Sequence, residues 1–364
     1  MRKLLLLMLC AISLNNQAQK TYYVGHSLVN LNMPFMTNLM ALDKNLTTAT
    51  YRHHINIGTS LKGNWIDTGF NSNLIWTPAI GNDIEYGTNH LSELTNSYQN
   101  IVVTEAVPLI ENVLDTSIKY AFNFFSLAQN NNPNIKKFIY ATWEHPDASW
   151  ASWRDTLDRL IPRWEVIADG VENRLGAGER VFIVPANIAM ARLYDTLQVH
   201  SIGTLSNFDD LFVGSNNIHL NYKGNYFIAC VMLATVYLQN PLGLGELQAG
   251  PYTSTIEVSD PILRLKMQQI AWETVCSYTR SGASCSPTSV LPESVMEKPS
   301  VIYRDGKLKI GGVNKFEQVS VFDLMGKLVY QSNNVENQVT LPTQQILLFA
   351  IKCKGQIIVK KLVF

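Results

Sequence analysis

Two short segments carry residue types that could do chemistry. Gly25-His26-Ser27-Leu28 follows a β-rich run, Thr21–Val24, and precedes an amphipathic stretch. Asn216-Asn217-Ile218-His219-Leu220-Asn221-Tyr222-Lys223-Gly224 stands just before the apolar run Tyr226–Leu238. A serine hydroxyl is a weak nucleophile until an imidazole takes its proton, so these are the two side chains that nucleophilic catalysis pairs. A serine just beyond a buried parallel strand lies at the edge where α/β sheets bind ligands. The glycine before it lets the backbone turn tightly. Two structural alternatives stand beside this reading: Ser27 as the N-cap of the next helix, and His219 as an ordinary loop histidine.

Further candidates lie between them. Thr142-Trp143-Glu144-His145-Pro146-Asp147 follows a predicted strand and faces the same edge, which makes Trp143 and His145 candidate substrate-binding residues. Trp65, Trp76, Trp150 and Trp153 also fall in loops or helix starts near that edge, and aromatic faces suit sugar rings. His53 and His54 are adjacent, so on a strand they point to opposite faces and would not share a metal. With no Cys-x-x-Cys pair, neither metal nor cofactor is expected.

Positioning these groups falls to a regular alternation of elements. Thr21–Gly25, Tyr51–Ile57, Ile101–Glu105, Lys137–Thr142 and Val181–Asn187 read as buried strands. Between them Leu31–Asp43, Asp115–Asn130, Trp150–Gly170 and Ala189–Leu197 have helical spacing, and Lys223–Gln239 closes the series. That alternation predicts an α/β domain with a doubly wound parallel sheet, over residues 20–245. Residues 62–99 read as a long insertion, of the kind that forms lids or substrate walls. Residues 246–300 read as a helix, Ile262–Tyr278, and a Ser/Pro/Gly linker. From 301 to 364 short alternating runs separated by Asp305-Gly306, Met325-Gly326 and Lys354-Gly355 predict a small antiparallel β-sandwich.

Composition narrows the function. The chain has 364 residues, which at roughly 150 per domain suggests about two domains. Lys+Arg and Asp+Glu are both 29. That balance argues against a nucleic-acid partner, which needs a basic patch. It hides an asymmetry: residues 301–364 carry nine Lys/Arg and four acids, a net of +5. Residues 1–19, with Arg2-Lys3, the apolar run Leu4–Ile12 and a polar end, have the layout of a signal peptide cleaved after Ala18. Nine apolar residues are too few to span a bilayer, which takes about 20. The mature chain is therefore expected to be secreted or at the cell surface, without a membrane span. Export permits disulfides, and Cys276 and Cys285 could close a small loop.

The paired end segments resemble those of the SGNH, or GDSL-type, hydrolases. Gly-x-Ser-Leu follows the first strand, and His-Leu-Asn-x-x-Gly precedes the last helix. The resemblance covers roughly residues 20–240 and implies a flavodoxin-like sheet and esterase activity. It assigns Ser27 as nucleophile and His219 as base. It places the oxyanion donors at the Ser27 amide and at Gly58, with Gly63 the alternative, in Asn56-Ile57-Gly58-Thr59-Ser60-Leu61. Two departures stand out. Val103-Thr104-Glu105-Ala106 replaces the family's asparagine donor, and an ionised Glu105 accepts rather than donates; it would bind substrate or orient His219. The position of the triad acid, three before the histidine, is Asn216, with Asp209 and Asp210 nearby.

The last 65 residues resemble the type-A sorting domain of the Bacteroidetes type nine secretion system, on Val319–Val329 and on the terminal Ile357–Phe364. That resemblance implies secretion machinery as a partner and export across the outer membrane. A carbohydrate-binding or adhesive β-sandwich is the alternative. Together these readings give a secreted serine hydrolase of carboxylic esters, acting on an ester substrate such as an acylated glycan. The alternative is a non-catalytic glycan-binding or surface protein on a degenerate hydrolase scaffold. A phosphodiesterase would need a metal cluster or convergent arginines, and the loops offer neither.

Overall fold

The structure, a computed structural model, describes residues 19–46, 48–66, 71–76, 85–87, 91–146, 149–199, 201–215, 217–250, 253–256 and 258–285, and seven strands between 300 and 362. The proposed signal peptide (residues 1–18), Asn216 and the linker 286–299 lie outside the described residues. Two units divide at Cys285/Ser286.

The first unit is built on one sheet. Its strands are β1 (Lys20–Gly25), β2 (Thr50–Asn56), β3 (Asn71–Trp76), β4 (Glu85–Gly87), β5 (Asn100–Val103), β6 (Lys136–Tyr140) and β7 (Val181–Val184), in the order β4-β3-β2-β1-β5-β6-β7. The five strands β2-β1-β5-β6-β7 are parallel. Most positions along them are buried, since helices cover a parallel sheet on either side. The strand order turns around at β1, which has β2 on one side and β5 on the other. This is the 2-1-3-4-5 order of flavodoxin-like folds, and the crevice beyond the carboxyl ends of such strands is where ligands sit.

The helices are α1 (Asn32–Asp43), α2 (Leu61–Ile66), α3 (Leu114–Asn131), α4 (Trp150–Leu175), α5 (Ala186–Val199), α6 (Tyr222–Val236) and α7 (Pro261–Ser277). One layer packs α2 on α3 and α3 on α4; the other packs α1 on α6 and α6 on α7. The long apolar run becomes α6, with every residue from Gly224 to Val236 buried. Residues 246–285 of the expected helix-and-linker region thus belong to the first unit, where α7 buries Leu263, Met267, Ile270 and Ala271. Cys276 and Cys285 form a disulfide with Cα atoms 5.4 Å apart. Within the 62–99 insertion the described strands extend the sheet: β3 pairs antiparallel with β2, and β4 with β3.

The second unit holds two antiparallel sheets, ordered β10-β11-β14 and β13-β12-β15-β16. Its strands are β10 (Ser300–Arg304), β11 (Lys307–Gly311), β12 (Gln318–Phe322), β13 (Leu328–Ser332), β14 (Gln338–Thr340), β15 (Leu347–Cys353) and β16 (Gln356–Leu362). A two-stranded ribbon, β8 (Gln248–Gly250) with β9 (Thr253–Ile256), belongs to the first unit. Among the described residues no helix is long and apolar enough to cross a membrane.

Candidate active site

Ser27 leaves the end of β1 at the point where the strand order reverses. The chain turns at once, with the Val29 N–H donating to the His26 carbonyl at 2.9 Å. Gly25 permits the turn, because a Cβ there would lie 2.6 Å from Thr104 Cγ2 and from Val29 Cγ2. Ser27 does not cap the helix that follows. Asn30 Oδ1 does so, accepting the Asn32 and Met33 N–H groups at 2.8 and 3.0 Å. The serine hydroxyl is left for another partner.

That partner comes from the other end of the unit. His219 Nε2 lies 2.9 Å from Ser27 Oγ, across 192 positions of sequence. Asn217 Oδ1 lies 2.9 Å from His219 Nδ1 and 2.9 Å from the His219 backbone nitrogen. The neighbouring bonds fix this loop on both sides. Val213 N–H donates to the His219 carbonyl at 2.9 Å, and the Trp143 indole N–H donates to the Ile218 carbonyl at 2.9 Å. Asn221 caps α6, accepting from Lys223 and Gly224 and donating to the Asp210 and Phe212 carbonyls.

A buried amide ties the two loops together. Asn225, on α6, accepts from Asn30 Nδ2 at 2.8 Å and donates to the Leu220 carbonyl at 3.3 Å. One side chain therefore reaches both the Ser27 turn and the residue after His219. Neither asparagine stood out in a sequence with 32 of them.

Several expected roles change. Glu105 is buried and does not reach His219. Its Oε1 accepts the Leu61 and Ala106 N–H groups at 3.1 and 2.7 Å, so it ties the β5 loop to the start of α2. Burial raises its pKa, and these backbone donors oppose the shift. Its own carbonyl accepts from His26 Nε2 at 3.0 Å. Burial holds the His26 imidazole neutral, with its pKa lowered to about 4. Asp209 takes the Trp150 indole N–H at 2.8 Å, and Asp210 bonds back to its own turn at the Asn207 N–H. Neither supports His219. Asn216 lies outside the described residues; its neighbour Asn217 places Oδ1 beside the imidazole Nδ1.

Trp143 is not a substrate wall: it is fully buried and its N–H is spent on the Ile218 carbonyl. Trp150 and Trp153 pack with Phe208 and Phe212 and hold the segment before His219 against α4. Trp65 stands edge-on to Phe124, and the side chain of Trp76 lies outside the described residues. His145 is exposed and close enough for its charge to depress His219, although burial is the larger cause of that lowered pKa. Gly58 sits exposed in the turn after β2 at φ +73°. Gly63 lies inside α2, and its N–H is directed to Ser60 Oγ at 3.4 Å. Asn64 is also turned away, donating to the Gly25 and Ser60 carbonyls. Among the described residues no cluster of metal-ligating side chains occurs.

No family model matches the chain, and no curated protein matches it. Solved structures do. A DUF4886 family protein from Bacteroides uniformis aligns with a TM-score of 0.50 at 15% identity, over 74% of this chain and 98% of its own. The likeness is one of fold. A candidate SGNH hydrolase from Slackia heliotrinireducens aligns at 0.39 and 16% identity, over 60% of this chain and 98% of its own. A carbohydrate esterase family 3 protein from Talaromyces cellulolyticus aligns at 0.37 and 13% identity, over 60% and 97%.

Proposed function

We propose that the first unit is a serine hydrolase of carboxylic esters. The observation that carries the reading is the 2.9 Å contact between Ser27 Oγ and His219 Nε2 at the switch point of the sheet. In the proposed reaction Ser27 Oγ attacks the acyl carbon while His219 Nε2 takes the hydroxyl proton. The carbonyl oxygen becomes an oxyanion, for which the Ser27 and Gly58 amides are the proposed donors, each worth about 3 kcal/mol where such a hole exists. His219 then returns its proton to the leaving alkoxide, giving an alcohol and an acyl-Ser27. Water, deprotonated by the same nitrogen, releases the carboxylic acid.

An acylated glycan is the proposed substrate, on the resemblance and on the proposed export. Trp143 and Trp153 are buried and lend it no aromatic platform. The Arg2-Lys3 and Leu4–Ile12 layout supports secretion, and the Cys276–Cys285 disulfide suits an oxidising compartment. The separate basic second unit supports a sorting role with the secretion machinery as its partner.

Two observations favour the alternative, a glycan-binding protein on a retired scaffold. Glu105 stands where the family places an amide donor, and among the described residues the group at His219 Nδ1 is the Asn217 amide rather than a carboxylate. Turnover of a chromogenic acetate ester separates the readings. Under the esterase reading Ser27→Ala and His219→Ala each abolish turnover, and the double variant loses little more, because the pair acts as a unit. A Ser27→Ala protein keeping more than about a tenth of the rate refutes Ser27 as nucleophile.

A further inference from the structure

We infer that Asn217 is the positioning residue that fixes the proton of His219, as a neutral acceptor locked in place by the histidine's own backbone. The inference rests on the Ser27–His219 reading above and deepens it. Its basis is a single oxygen facing two nitrogens. The His219 backbone N–H can only donate, so the Asn217 atom 2.9 Å from it is the amide oxygen, not the amide nitrogen. That same oxygen lies 2.9 Å from His219 Nδ1. Two acceptors cannot bond each other, so Nδ1 carries the hydrogen. A neutral imidazole holds one ring proton, which leaves the lone pair on Nε2 facing Ser27 Oγ, and the hydroxyl donates to it. This is the tautomer a general base needs.

An amide at the third position of a serine-protease triad lowers kcat about 10⁴-fold, because it leaves the histidine in the wrong tautomer. The geometry here removes that failure. Turning the Asn217 amide over would set its NH₂ against the His219 backbone N–H and lose that bond, even though the NH₂ could then donate to a bare Nδ1. The backbone thus selects the amide orientation, and the amide selects the tautomer. Asn217 precedes His219 by two residues, the spacing at which an Asn side chain bonds the backbone two positions on. The loop is rigid enough to use this, since Trp143 holds the Ile218 carbonyl and Val213 holds that of His219.

A neutral acceptor supplies no counter-charge to an imidazolium. Among the described residues the charged or titratable groups bearing on His219 are His145, from the loop after β6, and buried His26, from the turn after β1; Asp209 and Asp210 are engaged elsewhere. Asn217→Asp keeps both acceptor bonds and adds a negative charge, so it raises the His219 pKa and moves the acidic limb of kcat/KM to higher pH.

The test reads the tautomer directly. Ring-nitrogen NMR of uniformly ¹⁵N-labelled protein, with His219 assigned by difference from a His219→Gln spectrum, should show Nδ1 protonated and Nε2 bare in the neutral state. Asn217→Ala should shift His219 toward the Nε2–H form and lower kcat between about tenfold and 10⁴-fold with KM unchanged. Asn217→Asp should restore the Nδ1–H form. A wild-type His219 carrying its proton on Nε2 overturns the inference, and so does an Asn217→Ala protein that keeps the Nδ1–H form. The wild-type spectrum alone can refute it, whatever becomes of the variants. Failure of the esterase reading is distinguishable: an Nδ1–H histidine with no turnover sinks that reading alone, and turnover with an Nε2–H histidine sinks this one alone.

Discussion

Replacing Trp143 by phenylalanine asks whether the His219 loop is held from beneath. The indole is fully buried and its N–H is the donor to the Ile218 carbonyl, 2.9 Å away. Phenylalanine keeps the aromatic character but cannot donate. A buried acceptor left unpaired costs about 1–3 kcal/mol. The lost part of the indole leaves a void on the order of 40 Å³, which at about 24 cal/mol per Å³ adds about 1 kcal/mol. Denaturant unfolding should therefore show a loss of about 2–4 kcal/mol. The functional consequence is larger than that of an ordinary core substitution, because Ile218 is the residue before His219. A displacement of about 1 Å at a catalytic group costs about 10²-fold in rate. Ester hydrolysis by Trp143→Phe should lose kcat on that scale with KM little changed. If stability falls as expected and kcat does not, Trp143 is core packing and no more. If KM rises and kcat holds, the indole touches substrate after all.

Two further outcomes follow from the same site. His145→Gln removes a neighbour whose charge helps hold the His219 pKa down, so the His219 pKa should rise. Since the base must be neutral, activity is lost as pH falls through that pKa; the acidic limb of the kcat/KM profile should move to higher pH in His145→Gln, and an unmoved limb would show that burial alone sets it. Asn225→Leu keeps the bulk but leaves Asn30 Nδ2 and the Leu220 carbonyl without their bonds, which should cost about 1–3 kcal/mol in a denaturant melt and lower kcat with it. A melt shifted without loss of kcat would show that the two loops hold their geometry independently.

The sheet was legible in the sequence because short runs rich in β-branched and aromatic residues alternate with helical spacing, and all five core strands fall within a few residues of their expected places. The errors sit where a local rule meets a tertiary one. Val181–Asn187 stops early, at Val184, because Pro185 has no N–H for the ladder and α5 begins at Ala186. Trp150–Gly170 runs on to Leu175: Gly170 reads as a stop, yet a Cβ there would lie 2.5 Å from Ile118 Cδ1, so the glycine serves the approach of α4 to α3.

The site was legible at its ends and not in its support. Ser27 and His219 stand out by residue type and by the segments around them. Asn217 does not, because its placement depends on an amide folding back onto the backbone two residues on. Glu105 and Trp143 were placed on the correct edge of the sheet, but sequence cannot tell a crevice wall from a buried brace. That difference is one of direction: both side chains turn inward to backbone groups, Glu105 to the Leu61 N–H and Trp143 to the Ile218 carbonyl.

The claim on which the account depends is that Ser27 is an activated nucleophile. Treating the full chain with a fluorophosphonate and mapping the adduct by peptide mass spectrometry tests it without assuming any substrate. The account predicts one adduct, on Ser27, formed at a rate that falls when His219 is replaced by alanine. An unlabelled protein, an adduct on another serine, or labelling of Ser27 indifferent to His219 would contradict it.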